Sequence, residues 1–178
     1  MKNILILISA ALLASCSSVV YHGGQSGSLY VERLLMPPFV NATDDEHAGR
    51  ALTEMMGSAL VEAGIPLYQT EDLYNQPAAT EEGATPPTRA ELARSVNATH
   101  ILVGTVHEYR YKTDLDGDPA VGITMRLVDA ETGETVWQGS SGNVGYAFAS
   151  LTSAAQKAVR TLVRDIPVSG NRMQDDSR

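Results

Sequence analysis

The sequence predicts an α+β domain: a mixed β-sheet with a three-strand antiparallel meander and packed helices, in the order strand-helix-strand-helix-strand-strand-strand-helix. Three observations predict it. Residues 99–149 read as consecutive strands, ILVGTVHEYRYKT, AVGITMRLVDA and ETVWQGSSGNVGYAF, joined by the turns DLDGDP and ETGE. Before this block Ala48, Leu52, Met55, Met56, Ala59, Leu60 and Ala63 recur at three and four, the period of a helix with one apolar face. After it Leu151, Ala155, Ala158, Val159, Leu162 and Ile166 do the same. A chain of 178 residues is long enough for one such domain, and it contains no internal repeats.

Residues 1–15 are read as a signal peptide: Lys2 supplies a positive start, and residues 4–13 form an apolar run. Ten residues fall short of the roughly 20 that cross a hydrocarbon core. Leu13-Ala14-Ser15-Cys16 resembles the lipobox of bacterial lipoproteins, which makes Cys16, the sole cysteine, the expected lipidation site. A terminal thiol carrying several acyl chains is a stable anchor, and with no second cysteine no disulfide is available. Ser17 in place of Asp points to the outer membrane by the lipoprotein sorting pattern. Residues 16–28, SSVVYHGGQSGS after the cysteine, are Gly- and Ser-rich and are expected to be a lipidated N-terminus and flexible tether.

The domain is expected to span 29–167. Residues 29–40, LYVERLLMPPFV, read as a strand stopped by Pro37 and Pro38. Thr43 or Asp44 is the expected cap of the first helix, with Asp45 and Glu46 near its positive end, and Gly64 stops it. A short strand at 65–68 takes an edge position because Pro66 lacks a donor. Residues 71–74 read as one helical turn, and 75–87, with three prolines, as a surface loop. Thr88 and Glu91 form a capping box for a short helix carrying Ala90, Leu92, Ala93 and Val96. In the meander Val121, Ile123, Met125 and Leu127 alternate with Gly122, Thr124 and Arg126, giving one core face. Tyr109 and Tyr111 oppose Glu108, Arg110 and Lys112; they suit the edge of the core first, and a sugar or neighbouring subunit second. Trp137 is read as a packing anchor. Pro167 ends the last helix, and 168–178 is read as a disordered tail.

Charge and motifs exclude more than they assign. The net charge is −8, and removing residues 1–15 takes away Lys2 and no acid, leaving −9. That balance argues against nucleic acid and anionic lipid and favours a neutral or cationic partner. His22, His47, His100 and His107 form no pair with zinc-ligand spacing, and His100 and His107 fall on opposite faces of one strand. QGSSGN lacks the nucleophile-elbow spacing, and no phosphate or dinucleotide loop is present. No enzyme and no cofactor is expected. Asp114, Asp116 and Asp118 invite a calcium reading, but the glycine comes too early and Met125 stands where the bidentate Glu belongs. They read instead as a hairpin turn in which Gly117 takes positive φ.

The segment HEYRYKTDLDGDPAVGITMRLVDAETGETVWQGSSG, the following ASLTSAAQKAVRTLV, and the earlier LLMPPFVNAT with its Met-bearing helix resemble the PelC family. These are outer-membrane lipoproteins of the Pel polysaccharide export system, with a domain related to that of the curli channel CsgG. The resemblance is most specific at RYKTDLDGDPAVG and covers nearly the whole chain. It implies a dodecameric homo-oligomeric ring on the periplasmic face of the outer membrane, whose acidic funnel guides a cationic polysaccharide to a β-barrel export porin. By position it implies a pore role for Asp116, with Asp118 its neighbour, and a membrane-facing role for Tyr146, where the family favours Trp. The two ends of the meander block thus receive separate roles. The alternative is a monomeric lipoprotein activator of a periplasmic cell-wall synthase, which needs a long reach. A twelve-residue flexible tether spans only about 20 Å.

Overall fold

The computed structural model describes residues 18–24, 29–69, 88–112, 117–145 and 149–169. In chain order the elements are β1 (Ser18–Gly24), β2 (Leu29–Tyr30), β3 (Leu34–Met36), β4 (Val40–Asn41), α1 (Ala48–Glu62), β5 (Leu67–Gln69), α2 (Arg89–Ser95), β6 (His100–Tyr111), β7 (Pro119–Asp129), β8 (Thr135–Val144), α3 (Leu151–Asp165) and β9 (Val168–Ser169). The architecture is α+β, as the sequence predicts.

The meander forms because its apolar residues keep a period of two. In β7 Val121, Ile123, Met125 and Leu127 are buried, while Thr124 and Arg126 take the other face. β6 pairs with β7 antiparallel from His100 opposite Asp129 to Tyr111 opposite Pro119. A bulge between Val106 and Glu108 shifts the register near the far end of β6. β8 pairs with the other edge of β7, again antiparallel. The seven-stranded sheet runs β1-β8-β7-β6-β3-β5, with β4 joining β6 beyond β3. β3 and β4 lie parallel to β6, and β5 is parallel to β3 at the edge where Pro66 predicts it.

The helices α1 and α3 pack on one face and close the main core over Leu102, Val106, Ile123, Met125, Leu127 and Trp137. The apolar stripes read from the sequence are the buried ones: Leu52, Met56 and Leu60 on α1, and Ala155, Ala158, Val159 and Leu162 on α3. The shorter α2 covers the opposite face through Leu92 and Ala93 against Leu35 and Ile101. Its capping box is formed: the Glu91 N–H donates to Thr88 Oγ1 at 3.3 Å, and the Thr88 N–H donates to Glu91 Oε2 at 2.7 Å. That carboxylate's pKa is lowered, first by the backbone hydrogen bond from Thr88.

Four expectations are corrected. Residues 18–24, read as flexible tether, form β1, paired with β8 over seven positions from Ser18 opposite Asn143 to Gly24 opposite Trp137. The open edge of β8 supplies the ladder partners that a Gly/Ser-rich segment needs, so its own periodicity is not required. The strand expected at 29–40 is broken into β2, β3 and β4, with Pro37 and Pro38 in the gap where no amide hydrogen can join a ladder. The N-cap of α1 is His47, not Thr43 or Asp44, and it makes no side-chain cap bond. Asp45 instead accepts the His47 N–H at 2.8 Å. Val168 and Ser169, placed in the disordered tail, form β9 parallel to β2. Residues 71–74 and the loop at 75–87 lie outside the described residues.

Candidate functional site

One end of the sheet carries the β6–β7 turn, which holds Asp118. The β6–β7 turn is closed at its base by the Lys112 N–H donating to the Asp118 carbonyl at 2.8 Å. Gly117 holds φ at +58°, the left-handed conformation expected of it. Next to this turn, Ala120 faces Val144 near the end of β8, and the Gly145 N–H donates to the Pro119 carbonyl at 2.8 Å. The first residue of β1, Ser18, lies across from Asn143 at the same end.

Cys16, Asp116 and Tyr146 lie outside the described residues. The described residues nearest to them in the chain, Gly117, Gly145 and Ser18, lie at one end of the sheet. Of the expected site residues Asp118 alone is described. Its Oδ1 is buried and has no hydrogen-bond partner, so this carboxylate does not serve the turn's own fold.

A groove of about 510 Å³ runs beside this turn, between the end of β6 and the loop from β4 to α1. The loop is placed by three local bonds. The Ala42 N–H donates to the Val106 carbonyl at 2.9 Å, the Asn41 amide donates to the Asp45 carbonyl at 2.7 Å, and Asn41 Oδ1 accepts the Thr43 N–H at 3.0 Å. Upstream, buried Thr53 accepts the Phe39 N–H at 2.9 Å, which ties the chain entering β4 to α1. Phe39 lies flat on β6 because residue 104 is glycine; a Cβ there would sit 2.7 Å from the ring.

Asp44, Asp45, Glu108, Arg110, Tyr109 and Tyr111 face this groove. Arg110 pairs with Glu108 at 2.9 Å, whereas neither Asp44 nor Asp45 forms an ion pair among the described residues. Tyr111 is half exposed at 52%, and its hydroxyl accepts the Leu151 N–H at the start of α3 at 3.2 Å. Tyr109 packs against the main core, as expected of a tyrosine at the core's edge. Burial raises its pKa, and the Asp45 carboxylate adds to the shift, so the phenol stays neutral. His107, on the sheet face opposite α1 and α3, reaches Thr124 Oγ1 at 3.1 Å, and Thr124 reaches Ser140 Oγ at 2.8 Å. Asp44 and Asp45 read from the sequence as helix-start residues; no local signal ties them to β6. Among the described residues no cluster of His, Cys, Asp or Glu could hold a metal ion, and no helix is long and apolar enough to cross a membrane.

This fold has solved counterparts. The PelC dodecamer from Paraburkholderia phytofirmans, in space group P6, is 26% identical; the likeness covers 86% of this chain and 99% of that chain, with a TM-score of 0.70. A variant of that dodecamer in space group C2 is 25% identical over 82% of this chain and 96% of that chain, with a TM-score of 0.66. Lipoprotein GNA1162 from Neisseria meningitidis, 24% identical, shares the fold over 75% of this chain and 96% of that chain at a TM-score of 0.58. No curated protein sequence matches. The family profile for the peptidoglycan-synthase activator LpoB matches residues 26–142. The chain, with its PelC-like lipoprotein fold, belongs to the LpoB family of peptidoglycan-synthase activators.

Proposed function

We propose that the protein is a non-enzymatic lipoprotein of the outer membrane, anchored through Cys16 after removal of residues 1–15. It assembles as a periplasmic homo-oligomeric ring, a dodecamer like PelC, and guides a cationic exopolysaccharide of the Pel type to a β-barrel export porin. The observation that carries this reading is the likeness to the PelC dodecamer, which covers 99% of that chain and extends over more of this chain than the family match at residues 26–142. In this reading Asp116 and Asp118 line the acidic passage and Tyr146 faces the membrane.

Two features support it. The unpartnered Oδ1 of Asp118 marks a carboxylate whose charge is not consumed by its own turn. Pairing of β1 with β8 leaves a single residue, Ser17, between the acyl-bearing position and the first strand residue, which would keep the domain close to the bilayer. In cells deleted for the protein, export restored by Asp116→Ala should fall well below that restored by wild type, with an unchanged unfolding midpoint. Wild-type export by that variant removes the pore assignment.

The family match favours a second reading, a monomeric lipoprotein activator of a periplasmic cell-wall synthase. That role needs reach across the periplasm, and β1 shortens the reach to less than the twelve residues of the tether that the sequence suggests. Stimulation of a purified peptidoglycan synthase by the acylated monomer would establish it.

A further inference from the structure

The groove beside the acidic turn carries chemistry that the ring reading does not use. Its volume of about 510 Å³ is far larger than an ion needs and lies within the roughly 300–1,000 Å³ of ligand sites. Tyr109 and Tyr111 stand two apart on one strand, so both present to the same side. Each offers an apolar ring face and a polar tip. Tyr111 is clamped at its hydroxyl by the Leu151 N–H, so ordering its ring on binding costs little further entropy. Opposite them, Asp44 and Asp45 sit on a loop fixed by the Asn41 bonds. Glu108 and Arg110 pair with each other, which leaves Asp44 and Asp45 as carboxylates with no ion-pair partner among the described residues, Asp45 also accepting the His47 N–H.

Flat aromatic faces take the C–H face of a pyranose, and a free carboxylate beside them takes an ammonium group. A neutral sugar would leave the carboxylates unanswered. A lysine side chain would answer them but leave the ring faces without a flat partner. We propose that this groove is a binding site for a protonated hexosamine unit, in which Tyr111 and Tyr109 carry the ring and Asp44 and Asp45 carry the amine. The inference rests on the polymer-guiding reading only for where the sugar comes from. Binding is weak and open-sided, as a guide needs: favourable enough to enter and easy to leave.

The test uses the full-length acylated protein in detergent, titrated with a glucosamine pentamer, its fully N-acetylated counterpart, and pentalysine. The glucosamine pentamer should bind roughly tenfold or more tightly than the acetylated one, the worth of one charge-assisted contact. Asp44→Asn, at an exposed position, should remove most of that difference, and Tyr111→Ala should weaken both sugars, with Tyr111→Phe, which keeps the ring but loses the Leu151 clamp, falling between it and wild type. Equal affinity for the two pentamers, or binding untouched by both Asp44→Asn and Tyr111→Ala, overturns the proposal. Tighter binding of pentalysine than of either sugar also overturns it and assigns the groove to a protein partner. Failure of the guiding reading looks different: the glucosamine pentamer still binds at the groove while Asp116→Ala exports at the wild-type rate.

Discussion

The two hairpin turns of the meander end in aspartates put to opposite uses. In the β7–β8 turn Asp129 Oδ1 accepts the N–H groups of Glu131 and Thr132 at 2.9 and 2.8 Å and the Thr132 hydroxyl at 3.1 Å. Gly133 takes φ +75°, and the Gly133 N–H donates to the Asp129 carbonyl at 2.9 Å. The charge is fully employed in closing the turn. In the β6–β7 turn at the other end of the sheet, Gly117 again supplies a positive φ, but Asp118 Oδ1 is buried without a partner. The same residue types build both turns. One spends its carboxylate on folding; in the other, Asp118 Oδ1 closes no hydrogen bond.

The comparison yields a graded set of outcomes. The largest effect belongs to the core both turns depend on: Trp137, buried at 4%, should cost about 3–5 kcal/mol on Trp137→Ala, read as a drop in the urea midpoint. Asp129→Ala should cost about 1–2 kcal/mol by the same assay, because it leaves the turn's donors without their acceptor. Acid titration then reads the Asp129 contacts. The Thr132 backbone N–H, ahead of the other contacts, lowers the Asp129 pKa, so its contribution is fully present above the unfolded-state value and is lost as pH falls through the lower folded value. Asp129→Asn should therefore flatten the loss of stability below the ordinary carboxylate range. Smallest of all, Asp118→Asn should change stability by no more than about 0.5 kcal/mol, or raise it slightly, since it removes an unpaired charge. A loss matching that of Asp129→Ala would erase the contrast between the turns.

The scaffold was legible because its signals are local. Period two in β7 marks Val121 to Leu127 as core, period 3.6 marks the faces of α1 and α3, and the Thr88–Glu91 capping box is read directly. β1 was not legible: a Gly/Ser-rich segment becomes a strand through the β8 edge, a partner more than a hundred residues away. The groove failed for the same reason. It exists because β4 lies parallel to β6, with Val40 opposite Thr105, which carries Asp44 and Asp45 to the tyrosines. Read along the chain, those two acids resemble helix-start residues, and the bulge at Val106–Glu108 is equally invisible. Asp116 and Tyr146 came from resemblance, and no periodicity points to either.

The ring is the claim on which the passage of a polymer depends, and it separates the two readings of the family. Native mass spectrometry of the full-length acylated protein released from detergent measures it directly. A ring-sized assembly, a dodecamer by the likeness to PelC, is the predicted result; a monomer at every protein concentration would contradict the account.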